Sequence, residues 1–340
     1  MPHIFRFVRP STLRIALPLL VVISASAAWA ADRELSPATA TRPAVRLLGP
    51  CERSNPDSTP CSPGGRPTVG GCPVFPADNW WNRDVSSAPV DPNSANFVTQ
   101  INSLGGRSVH PDFGSDPSYG IPFVVVPSGQ ARVPITYTAY GDESDPGPFP
   151  IPTNAPVEAG GDQHVLVVEQ GACHLYELFV ARRDGQGGWL ADSGATWDLR
   201  SNALRPDGWT SADAAGLPIL PGLARYDEVA AGRIDHALRF TVVRTQRSYV
   251  PPARHFASSS TNPNDPPMGL RLRLKAGYDT SRFAGQARVI VDALARYGMI
   301  VADNGSNWFI SGATDPRWND AELNQLKSIP GDAFEVVIAA

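Results

Sequence analysis

His164, Glu177 and Asp162 have the types and spacing that most directly suggest chemistry. If Gln170-Gly171 forms a two-residue turn, the flanking strands pair so that His164 lies opposite Glu177 on one face, within hydrogen-bond reach. A carboxylate beside an imidazole raises its basicity and fixes its tautomer, as a general base or metal ligand requires. Asp162, two residues earlier, would share that face if the strand starts early enough. The same pair also suits a solvated sheet face with no chemistry. Arg254 and His255 follow two prolines that stiffen their approach. An Arg beside a His suits a site that neutralises a carboxylate and moves a proton, although an exposed loop pair reads the same way.

Asp303, Asn307 and Trp308 surround an Asn304-Gly305 turn. Sugar sites combine an aromatic platform with amide and carboxylate hydrogen-bonding groups, and these residues supply both. Trp197 is a further platform candidate, with core packing as its alternative role. Asp142, Glu143 and Asp145 supply hard oxygens suited to Ca²⁺. They lack the spacing and glycine of an EF-hand, so a solvated turn is the competing reading. His236 alternates with Leu238 and Phe240, as a core-facing histidine does. The chain has no G-x-S-x-G elbow, no H-E-x-x-H, no Walker loop and no dinucleotide glycine pattern.

The elements that must carry these residues are mainly β. Residues 121–126, 133–140, 164–168, 173–180, 236–244 and 270–274 are rich in β-branched and aromatic residues or alternate in polarity. Residues 299–303 and 307–311 are expected to form a type I′ hairpin through Asn304-Gly305. Helices are few. One starts at Asn93 or Ser94 and buries Phe97, Ile101 and Leu104, with Gly105 at its C′ position. Another starts near Ser281 and ends at Gly298, and a short third begins at Asn319 with Glu322 in a capping box. The predicted fold is an antiparallel β-sandwich, jelly-roll-like, with a few peripheral helices. Long loops over residues 141–162, 191–226 and 251–269 would carry the function.

The chain's ends and composition set the context. Arg6, Arg9 and Arg14 precede an apolar run from residue 15 to about 28, closed by Ala28-Trp29-Ala30. This is the pattern of a cleaved signal peptide over residues 1–30. Residues 31–71 hold seven prolines and few large apolar residues, a linker composition. A single β-rich domain is expected over residues 72–340, ordered from about Val74. The full chain has 29 basic and 33 acidic side chains, and loss of three arginines with the leader leaves a more acidic protein. That argues against nucleic-acid binding and against docking on anionic membranes. Cys51, Cys61, Cys72 and Cys173 should form disulfides in an exported chain. Cys51–Cys61 and Cys72–Cys173 is the favoured pairing of the three available.

Residues 137–145, 236–240 and 302–308 read Tyr-Thr-Ala-Tyr-Gly-Asp-Glu-Ser-Asp, His-Ala-Leu-Arg-Phe and Ala-Asp-Asn-Gly-Ser-Asn-Trp. They resemble blocks in a group of secreted bacterial proteins without an assigned activity, over about residues 74–337. The resemblance implies bacterial export and one continuous domain, and transfers no catalytic residue. The export signal, the β-rich pattern and the candidate residues, rather than the resemblance, lead to the expectation of a secreted, monomeric carbohydrate-active enzyme cleaving an extracellular polysaccharide by acid/base chemistry, without a cofactor other than Ca²⁺. As a glycoside hydrolase it would draw on Glu177, Asp162 and Asp303. As a polysaccharide lyase it would use Arg254 with His164 or His255. A non-catalytic glycan-binding protein is the alternative, in which the tryptophans and asparagines matter and the histidines do not.

Overall fold

The computed structural model describes residues 66–338. The leader, most of the expected linker, Cys51 and Cys61 lie outside the described residues. Ordered structure starts before Val74: the strands Thr68–Val69 and Cys72–Pro73 pair, and Val69 is buried. Cys72 is bonded to Cys173, tying this hairpin to the domain across 101 residues of sequence.

Strands dominate, arranged in several sheets. A four-stranded sheet runs in the order Ser193–Asp198, His174–Phe179, Val165–Glu169, Phe123–Val126. Val165 to Val168 are all buried, because both faces of this sheet are covered. Val165, Val167, Tyr176 and Leu178 meet Trp189 and Ala191 of a three-stranded sheet in a smaller core. Leu166, Val168 and Leu175 join the larger core. Part of the expected second loop is therefore a strand, Ser193–Asp198, paired along the whole of His174–Phe179.

A six-stranded sheet runs in the order Phe334–Val336, Arg271–Leu274, Met299–Asn304, Leu238–Val242, Phe309–Ile310, His110–Pro111. The helix Gly285–Arg296 buries Ile290, Val291 and Leu294 in the larger core. Asn319 caps the short helix Asp320–Leu323, accepting from the amides of Ala321 and Glu322. The helix Ser94–Ser103 buries Phe97 and Ile101, as its spacing predicts, and Gly105 adopts the left-handed conformation.

Strand pairing is mixed rather than antiparallel throughout, since four of the pairs are parallel. The expected hairpin through Asn304-Gly305 does not form. Leu238–Val242 lies between Met299–Asn304 and Phe309–Ile310 and pairs with both. The chain at residues 305–308 crosses over that strand, with the Gly305 amide donating to the Val242 carbonyl. A local turn signal was overridden by a distant strand.

Candidate active site

The outer face of the six-stranded sheet forms the floor of a cavity of about 330 Å³. Leu238, Phe240 and Val242 point into the core, so Arg239 and Thr241 face the other way. Their strand pairs in parallel with Met299–Asn304 until a β-bulge intervenes: Phe240 opposes Val301, but Thr241 opposes Asp303. Ala302 is the extra residue. In unbroken register Asp303 would oppose Val242 and point into the core. The bulge turns it to the side of Arg239 and Thr241, where it lines the cavity. Phe309, Ser311 and Asp112 extend the same floor across the neighbouring strands.

One wall comes from residues 158–164, before the central strand of the four-stranded sheet. It carries Glu158, Asp162 and His164. Gln163, between the last two, has a left-handed backbone (φ 47°), a strained conformation of the kind concentrated at functional sites. The opposite wall carries Tyr119 and Gly120. Gly120 has φ 81°, and a Cβ there would stand 2.9 Å from the Gly312 carbonyl oxygen, so this close approach requires glycine.

Two ion pairs build the site. Arg239 is buried and grips Asp213 with two bonds, Nε to Oδ2 at 2.9 Å and Nη2 to Oδ1 at 2.8 Å. Its Nη1 donates to Ser311 Oγ, and Nη2 lies 3.5 Å from Asp303 Oδ2. His164 is buried; its Nδ1 is 2.5 Å from Glu158 Oε2 and its Nε2 is 3.0 Å from the Ala212 carbonyl oxygen. A carbonyl only accepts, so Nε2 carries a proton. Desolvation opposes charge on this ring, but the hydrogen bond and charge of Glu158 win and lift its pKa. Desolvation likewise opposes the Glu158 charge, and His164 outweighs it, so Glu158 is held below its ordinary range. Both shifts favour the imidazolium–carboxylate form of the pair.

Three carboxyls remain for a ligand: Asp112, Asp162 and Asp303. Desolvation, reinforced by the Asp213 charge, pushes Asp303 up to about 7, against the pull of Arg239. Asp112 is also raised, first by desolvation and further by the charges of Glu158 and Asp162. The site thus holds a carboxyl, Asp303, that keeps its proton close to neutrality, and Asp162 lines the same cavity.

Asp162, His164 and Asp303 come together, while other sequence candidates do not. The His164–Glu177 pair is displaced because four residues, 170–173, connect the strands, so Glu177 opposes Leu166 rather than His164. The two residues keep a common face but sit diagonally. Glu177 is fully buried, accepts from the amides of Ile219 and Leu220, and is pushed up to about 7 by desolvation. Arg254 and His255 are absent from the cavity lining. Arg254 pairs with Asp207 at 2.9 Å, and His255 Nδ1 is 2.8 Å from the Ala214 carbonyl oxygen.

Trp308 is in the core, stacked on Phe240 and Phe334, with its indole N–H donating to Asn102. Asn307 is also buried and bonds the Val243 amide and the Ile101 carbonyl. Trp197 is buried beneath the Arg205 guanidinium. None of these three is a surface platform. In the acidic run, Asp145 binds Arg205 and the Thr196 amide, and Glu143 accepts from the Thr210 amide. Asp142 is exposed. Among the described residues, no three His, Cys, Asp or Glu side chains gather as a metal ion would need, so the Ca²⁺ expectation for Asp142, Glu143 and Asp145 has no supporting geometry.

Arg239, Glu158 and Asp112 escaped the sequence reading. An arginine flanked by Leu238 and Phe240 in a strand-like run was the available signal, because such a charge, if buried, must find a partner. His236, expected in the core, is there, bonded to Glu228. Comparison with protein-family models, with curated proteins and with solved structures gives no match.

Proposed function

We propose that the chain is a glycoside hydrolase acting on a neutral polysaccharide outside the cell, with Asp303 as general acid and Asp162 as the second carboxyl of the pair. The observation that supports this reading is the raised pKa of Asp303 in a cavity that Asp162 also lines. Glycosidic cleavage needs such a division: one carboxyl to protonate the leaving oxygen, another to engage water or the anomeric carbon. Arg239 orients Asp303 and offsets part of the carboxylate charge, and the His164–Glu158 pair fixes the wall that presents Asp162.

The lyase alternative is less well supported. A uronate needs a cation to neutralise its carboxylate, yet Arg239 is spent on Asp213 and both His164 nitrogens are engaged. Three carboxyls facing the ligand favour a neutral sugar over an acidic one. Export is part of the proposal; the Cys72–Cys173 disulfide suits an oxidising compartment. Among the described residues no helix is long and apolar enough to cross a membrane. A panel of neutral and uronic polysaccharides, assayed for new reducing ends and for unsaturated-uronate absorbance, tests the reading. The expected result is reducing ends from a neutral member alone. Unsaturated products from a uronic member would replace it with the lyase.

A further inference from the structure

We infer that the substrate cleft continues past Tyr119 into a second cavity, which binds further neutral sugar units of the same glycan chain. The choice of ligand rests on the hydrolase reading. The geometry does not. This second cavity, of about 390 Å³, is lined by His110, Phe113, Tyr119, Asn324 and Lys327 among others. Each cavity alone falls within the ~300–1,000 Å³ range of small-ligand sites.

Three observations join the two. Tyr119 lines both and is 55% exposed. The floor is continuous: Phe309 of the first cavity stacks on His110 of the second, with centroids 4.2 Å apart and planes 8° from parallel. The segment 110–121 supplies residues alternately to both sides, Asp112 and Ser118 to the first and Phe113 and Asp116 to the second.

The lining chemistry suits a hydroxylated ring. Tyr119 offers a flat apolar face with a polar edge at the junction, where a sugar's C–H face can stack. Phe113 gives the second cavity an apolar surface. Its two acids are already occupied, Asp320 by the amide and hydroxyl of Ser115, and Asp116 by Ser118. Asn324 and Lys327 are exposed and provide hydrogen-bonding groups for hydroxyls. The enclosed His110 Nδ1 has no hydrogen-bond partner in the protein.

The test is a binding ladder that does not depend on turnover. Cello-, xylo-, manno- and arabino-oligosaccharides of two to six units are titrated into the full domain carrying Asp303→Asn, and cleavage is followed separately with the wild type. The expected result, for one series, is affinity that tightens roughly tenfold or more from the shortest to the longest member. Tyr119→Ala and the Asn324→Ala, Lys327→Ala double variant should each remove that gain. All three positions are exposed, so melting temperatures should stay near the parent value. Affinity independent of length, a gain that survives both variants, or no binding in any series would overturn the inference. A length-dependent gain without cleavage by the wild type would uphold the second subsite and sink the hydrolase reading. Cleavage without length dependence would do the reverse.

Discussion

A carboxyl that keeps its proton near neutrality has to be crowded by protein and by negative charge, and Asp303 is crowded by both. If it is the acid, kcat/KM on the responding glycan should fall as pH rises through about 7, where it ionises. Asp303→Asn should lower kcat by about 10²–10⁴-fold and abolish that alkaline limb. The raised pKa also has a sign for stability. The folded state binds more protons than the unfolded one from the ordinary aspartate range up to about 7, so stability falls as pH rises through that window. Asp303→Asn should therefore melt higher than wild type at alkaline pH. The Glu158–His164 pair behaves differently. His164 is raised, so its contribution is lost as pH climbs through its folded pKa; Glu158 is lowered, so its contribution is lost as pH falls through its own. Glu158→Gln should lower stability by about 1–3 kcal/mol in chemical denaturation at near-neutral pH, because the buried His164 loses its charged acceptor and desolvation then drives off its proton.

The bulge at Ala302 is the element that makes the site, and no local signal in the sequence announces it. Alternation along residues 236–244 correctly places Arg239 and Thr241 away from the core. Alternation along Met299–Asn304 cannot show that its phase changes at Ala302, because the change is set by pairing with Leu238–Val242. The same distant strand defeats the Asn304-Gly305 hairpin. The His164–Glu177 register fails by two residues because Gln170-Gly171 is half of a four-residue connection. The apolar run Val165–Val168 and the Asn319 cap were legible, since they depend on neighbours in sequence, whereas the helix expected from Ser281 starts only at Gly285, with no side-chain cap. Asp162, His164 and Asp303 were legible as residues, but not as one site. Arg239 links the 199–219 segment to the sheet through Asp213, so Arg239→Met should cost about 3–5 kcal/mol by denaturant titration.

Across the whole molecule, two cores are held by a four-stranded sheet buried on both faces, and the Cys72–Cys173 bond fastens the N-terminal hairpin to it. Closing a loop of 101 residues of sequence separation stabilises by about 4–5 kcal/mol in the chain-entropy account. The Cys72→Ser, Cys173→Ser double variant should lose an amount of that order in denaturant titration, with the cavity intact. The cavity on the outer face of the six-stranded sheet is where we propose that a neutral glycan is hydrolysed. Reducing-end release by wild type, Asp303→Asn, Asp162→Asn, Arg254→Ala and His255→Ala, side by side on the responding polysaccharide, tests it most directly. Loss of about 10²-fold or more is expected in both aspartate variants, with activity retained in the Arg254 and His255 variants. Activity that survives Asp303→Asn and Asp162→Asn but vanishes with His255→Ala would contradict it.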